Sequence, residues 1–163
     1  MTYQTSSFRN CLRWLPAILI AITIFLFSNQ PAGESTDLSQ GVTYHFLMLL
    51  DQVHLAHIDA SQQDMLIGLI EPAIRKLAHA FEFTVLYLSL LYALHSRNAG
   101  HRRQKITWFR TAFLLTFLYA CTDEFHQLFV PGRAGRFTDV LIDCSIALLI
   151  TLFAKLPDSR DKY

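Results

Sequence analysis

Cysteine and charge are both scarce in this chain. Its 163 residues include three cysteines, Cys11, Cys121 and Cys144, an odd number without a CxxC pair. Cys121 and Cys144 fall in or near apolar runs, the usual setting of buried reduced thiols. A bridge between them would require facing helices, which spacing alone does not decide. Charged residues make up 17% and the net charge is +1, so the bulk cationic field that nucleic-acid binding draws on is missing. No internal repeat or low-complexity tract occurs. A signal-peptide cleavage site of strong character is also missing, since Pro31-Ala32-Gly33 is only a weak candidate after the first apolar run. That run is therefore read as a retained helix. Lys and Arg are absent from Ser28 to Ile74, where Glu34, Asp37, Asp51, Asp59, Asp64 and Glu71 stand instead.

Apolar residues are abundant. They make up 52% of the chain, with 13 Phe, a composition that suits a small integral membrane protein of one domain, residues 1–163. Four apolar segments emerge, at about Leu12–Phe27, Ile74–Leu94, Ile106–Cys121 (continuing helically toward Phe129) and Phe137–Ala154. Each lies near the span of about 17–25 residues needed to cross a bilayer. The predicted fold is all-α, a bundle of four transmembrane helices with an amphipathic outer helix between the first and second.

Basic residues orient the bundle. Arg9 and Arg13 precede the first segment. Arg97, Arg102, Arg103, Lys105 and Arg110 lie between or at the edges of the second and third, and Lys155, Arg160 and Lys162 follow the fourth. The positive-inside rule puts both termini and the short basic loop in the cytoplasm, and the long acidic connection outside. In that connection, Phe46, Leu49, Leu50 and Val53 recur at helical spacing, which predicts an amphipathic helix over Val42–Ala56. Ser61 reads as the N-cap of a further short helix through Leu66–Ile70. Pro72 falls near the start of the second membrane helix, where a missing N–H is tolerated. His45, His54 and His57 have no partner pattern and read as surface or packing residues.

This topology carries the polar residues to one side of the membrane. Arg75, His79 and Glu82 share a stripe of the second helix, with Lys76 at its margin. Asp123 and Gln127 are i,i+4 on the third, with His126 adjacent and Glu124 on a neighbouring face. Pro131-Gly132 then turns the chain, Arg133 and Arg136 follow, and the fourth helix re-enters with Asp139 and Asp143, again i,i+4. Ser28, Asn29 and Gln30 end the first helix on the same side. Ionisable groups inside a membrane protein are costly, and by default they mark a site.

Three chemistries fit these groups. A metal is one: His79-x-x-Glu82 has the i,i+3 spacing of helical carboxylate–His sites. Glu124-x-His126 is not a standard helical ligand pair and no HExxH occurs, so no metal ligands are assigned and no cofactor is defined. An anion is the second: Arg75, Lys76, Arg133 and Arg136 are the only outer basic residues, and Arg forks suit phosphate or carboxylate. With His79 and His126 nearby, acid–base chemistry on a phosphorylated or acylated lipid-linked substrate follows. The third is a buried ion network that serves folding alone.

The blocks SNQ, RKLAHAFEF, DEFHQLFVPGR and TDVLID, in this order over about residues 27–154, resemble the VanZ-like membrane family. That family is named for a protein of glycopeptide-resistance clusters that lowers teicoplanin susceptibility. The resemblance implies a small bacterial inner-membrane protein and supplies no reaction. Lys76, His79 and Glu82 match the family's second-helix motif. Asp123, Glu124, His126, Gln127, Pro131, Gly132 and Arg133 match its third-helix and turn motif, and Asp139 and Asp143 match the start of the fourth. Where the family carries small Gly residues further down the fourth helix, this chain has Ser145 and then Leu148-Leu149.

Two functions are carried forward. In the first, Arg75, Lys76, Arg133 and Arg136 hold an anionic lipid-linked or envelope substrate, and His79 and His126 move protons. Glu82, Asp123 or Asp139 orient the histidines, Glu124 and Asp143 tune or orient, and Gln127, Ser28 and Gln30 complete the binding surface. In the second, the protein is not catalytic and binds a lipid head group or a partner. Membrane lipids are the expected surroundings in both. The sequence defines no oligomeric state.

Overall fold

The computed structural model describes residues 11–55, 57, 59–95 and 102–154. Arg9, Arg97, Lys155, Arg160 and Lys162, which support the orientation by charge, and Ala56 lie outside the described residues. So do the side chains of Arg102 and Arg103. Among the described residues the fold is all-helical, with six helices and no strand. They are α1 (Leu15–Ser28), α2 (Ala32–Gln52), α3 (Ala60–Leu94), α4 (Arg102–Gln127), α5 (Phe137–Asp143) and α6 (Ser145–Phe153).

Helix α1 begins with Pro16 in its first turn, where the ring costs no hydrogen bond. It buries Ala17, Ile24 and Ser28 along one face and exposes Ile18, Leu19, Ile22 and Leu26 on the others. Exposed apolar side chains recur on α3, α4 and α6, an outer surface far more apolar than a water-soluble monomer presents. At Asn29–Pro31 the chain bends by 109° into α2. Pro31 sits at φ −53°, ψ 150°, the extended backbone that ends one helix and launches the next. The break foreseen at Pro31-Ala32-Gly33 is thus present, and α2 starts at Ala32, well before the predicted Val42. Helix α2 ends in a reversal in which Leu55 N–H donates to Leu50 O and His54 N–H to Asp51 O. His54 takes the left-handed conformation at φ 58°, as glycine usually does in this cap.

Helix α3 corrects the sequence reading. A short helix capped by Ser61 and a separate membrane helix were expected. One 35-residue helix runs through both, with Pro72 inside it and Asp59 at the N-cap. Packing against α2 holds the helix across the proline: buried Glu71 accepts from Ser39 Oγ and pairs with Arg75 at 3.6 Å. Arg75 Nη1 in turn donates to Thr36 Oγ1 at 3.3 Å. Helix α3 touches every other helix. Its Phe83, Leu86, Tyr87 and Leu90 form the core with Ala17, Ile24, Ala112, Ala120, Val140, Cys144 and Ala147.

The fourth apolar segment is divided at Cys144 into α5 and α6. Backbone hydrogen bonds still cross the division, Cys144 N–H to Val140 O and Leu148 N–H to Cys144 O. The packed small face is Ala147 and Thr151, both buried, and not Ser145, which is exposed and bonds back to Ile142 O. Cys11, Cys121 and Cys144 are free thiols. Among the described residues one helix, within Ser61–Leu94, is long and apolar enough to cross a membrane, and a second span results if the bent α1–α2 pair counts as one.

Candidate functional site

The end of the bundle where α1 bends holds a cavity of about 710 Å³, within the size range of small-molecule sites. Its centre is His79, placed by α3 so that both ring nitrogens face carboxylates. Nδ1 lies 3.3 Å from Glu82, one helical turn on. Nε2 lies 3.2 Å from Asp123 and 3.7 Å from Asp143. A two-sided carboxylate environment suits an imidazolium that donates from both nitrogens, or a neutral ring whose free nitrogen meets a cation.

Asp123 is 5% exposed and sits behind His79. Its Oδ2 accepts from Ser28 Oγ at 2.8 Å and from Gln127 Nε2 at 2.9 Å. The i,i+4 spacing of Asp123 and Gln127 is what lets one turn of α4 hold both. Ser28 reaches the pair because α1 ends there, and it is fully buried.

The turn after α4 folds back on the site. Gly132 has φ 77°, a left-handed position that L side chains avoid. At Gly135 a Cβ would collide with the Glu124 carbonyl oxygen, so only glycine lets the loop lie against α4. That approach lets the Arg136 N–H donate to Glu124 Oε2 at 2.7 Å. Pro131 O accepts from Ala32 N–H at 3.1 Å, joining the turn to the start of α2. Arg133 then caps α1, its Nε donating to Gln30 O and its Nη2 to Phe27 O, each at 2.9 Å. The last carbonyls of a helix lack internal partners and carry negative partial charge, so a guanidinium fork is well placed there. Burial holds the Arg133 guanidinium below its ordinary value, a shift that nearby Asp123 opposes.

The sequence-expected residues divide clearly. Gln30, Arg75, Lys76, His79, Glu82, Glu124, Gln127, Arg133, Arg136, Asp139 and Asp143 line the cavity. Asp123 and Ser28 stand behind that lining and hold His79 from the rear. His126 does not line it. It lies 3.3 Å from Asn29 Oδ1 and packs on the Phe25 ring at 4.9 Å, on the α1–α4 seam. One residue of helix rotation separates His126 from Gln127 and accounts for the difference. Lys76 Nζ donates to Asp139 Oδ1 at 2.8 Å, an ion pair that joins α3 to α5. The Arg136 guanidinium has no hydrogen bond or ion pair to a described residue.

Sequence reasoning missed the α2 wall, Ser35, Thr36 and Ser39, and the partner of that wall, Glu71. The signal was available as small hydroxyl residues at 36, 39 and 43, one helical turn apart. Gly135 was missed too. Donors suited to a metal also meet in space: a ring nitrogen of His79 and one oxygen each from Glu124 and Asp143 lie within 4.8 Å of one another. Spacing along a single helix does not reveal the cluster, because these three residues stand on α3, α4 and α5.

The apolar exterior of this helical bundle and its long apolar helix point to a membrane protein. The chain belongs to the VanZ/LLP1 family, whose model matches residues 13–157. No curated protein and no solved structure matches it.

Proposed function

We propose that this protein spans the bacterial cytoplasmic membrane four times, with both termini inside, and that its cavity opens at the outer face. There it binds or acts on the anionic group of a lipid-linked or cell-envelope molecule. The supporting observation is the cavity's layout. A guanidinium with no described protein partner, Arg136, stands on the same lining as the His79–carboxylate cluster. Arg75, Lys76 and Arg133 add positive charge around it but are already engaged with Glu71, Asp139 and the Phe27 and Gln30 carbonyls. Arg136 therefore supplies the first contact to an incoming anion. His79, held by Glu82 and Asp123, lies on the same lining beside the bound group. Continuous backbone bonding across Cys144 supports α5 and α6 as one membrane crossing. Altered susceptibility to teicoplanin-type glycopeptides is the phenotype the family resemblance implies.

A second reading has its own support. The Lys76–Asp139 and Arg75–Glu71 pairs close charge within the protein, as a non-catalytic site for a head group or partner would. Mass-spectrometric profiling of envelope lipids and lipid-linked precursors separates the two. The cells compared lack the protein, carry the native form, or carry Arg136→Ala at matched membrane levels. Turnover predicts one anionic species that accumulates without the protein and is not cleared by Arg136→Ala. Three matching profiles contradict it.

A further inference from the structure

The floor of the cavity carries an arrangement that anion binding does not use. Asp143 is 2% exposed, and its Oδ2 has no hydrogen-bond partner among the described residues. His79 Nε2 is 3.7 Å away, beyond hydrogen-bond length. A buried carboxylate oxygen left without a donor is costly, and native proteins rarely retain one without a use. The Asp143 carboxylate stands with donors that other helices bring: one oxygen of Asp143, a ring nitrogen of His79 and one Glu124 oxygen lie within 4.8 Å of one another.

We infer that His79, Glu124 and Asp143 bind a divalent cation of the Zn²⁺ or Mn²⁺ class. Imidazole together with two carboxylates is a donor set that both ions accept. The supporting groups fit as well. With Nε2 facing the ion, His79 Nδ1–H is left to Glu82 at 3.3 Å, the carboxylate–histidine–metal relay that fixes tautomer and ring orientation. Glu124 is steadied through Oε2 by the Arg136 N–H. Asp123, 3.2 Å from Nε2, stands beside the ion with Ser28 and Gln127 already satisfying its Oδ2. Four carboxylates surround His79, and a dication held by the neutral ring offsets one more of their charges than an imidazolium does. Three protein ligands leave positions open toward the cavity, so an anionic group held by Arg136 would complete the coordination. The ion's binding does not depend on which molecule the cavity takes.

The test uses the full chain purified in lipid nanodiscs, stripped with chelator and titrated separately with Mn²⁺ and Zn²⁺. The expected result is one tightly held equivalent of at least one of these ions per chain. Asp143→Asn and Glu124→Gln should each weaken binding at least about tenfold, while Glu34→Gln, an exposed position on α2, binds as the native chain does. Electron spin-echo spectroscopy of the native chain with Mn²⁺, or zinc X-ray absorption if only Zn²⁺ is held, should show one imidazole nitrogen on the metal, a reading that survives if either variant fails to fold. A native chain that retains neither ion stoichiometrically overturns the inference. So does a bound ion without an imidazole nitrogen, or undiminished binding in both folded variants.

Discussion

Two histidines of the same sequence motifs end up in opposite situations. His79 lies inside, with carboxylates on both nitrogens and a network reaching α1, α4 and α5 behind it. His126 lies on the α1–α4 seam, with a long contact to Asn29 and a phenyl ring beside it. In the sequence the two look equivalent, each next to carboxylates at helical spacing. The difference arises from rotation. Asp123 and Gln127 take the inward face of α4, so His126 turns away from the cavity. Motif membership therefore does not identify which histidine can meet a substrate, and the neighbour at i+1 or i−1 decides it.

This contrast is sharpened first at the shared acceptor behind His79. Asp123→Ala leaves His79, Ser28 and Gln127 without their shared acceptor. Removing one partner of a buried pair costs about 3–5 kcal/mol, so a large loss of thermal stability in detergent is expected. A loss no larger than that of a surface substitution would mean that the network does not hold the bundle end together. Arg133→Ala should cost roughly 1.5–3 kcal/mol, the range for hydrogen bonds to a charged group, because the carbonyls of Phe27 and Gln30 lose their guanidinium. Arg133→Lys should restore only part, since an ammonium cannot fork to both. Gly135→Ala should cost about 1–3 kcal/mol, as overpacking does, by lifting the turn from the Glu124 carbonyl and weakening the Arg136 N–H contact. At the opposite end of the bundle, Tyr87 OH and Thr151 Oγ1 are 2.7 Å apart in a neutral buried pair. Tyr87→Phe should cost only about 1 kcal/mol and leave any function of the cavity unchanged. The smallest effect belongs to His126→Gln, where a shift within about 0.5 kcal/mol is expected.

Much of this was legible in the chain. Helical periodicity and charge grouped the ionisable cavity-lining residues of α3, α4, the turn after it and α5 at one end of the bundle, because i,i+4 spacing and alternating chain direction are local facts. The helix ends near Ser28 and Gln127 were readable from Pro31 and Pro131-Gly132. Other features depended on packing between helices. Pro72 reads as a boundary, but Glu71, Ser39 and Arg75 tie α3 to α2 on both sides of it, and the helix continues. The division at Cys144 has no sequence mark, since neither Gly nor Pro stands there. The His79–Glu124–Asp143 cluster was invisible because its members are separated by up to 64 positions and meet only when three helices pack.

The most direct measurement sets the two histidines side by side. His79→Gln and His126→Gln would be introduced separately, matched for membrane level, and profiled for the anionic lipid species that changes when the protein is absent. The account predicts that His79→Gln reproduces the profile of cells without the protein while His126→Gln matches the native profile. Loss with His126→Gln and retention with His79→Gln would contradict it, and would move the working site from the cavity to the α1–α4 seam.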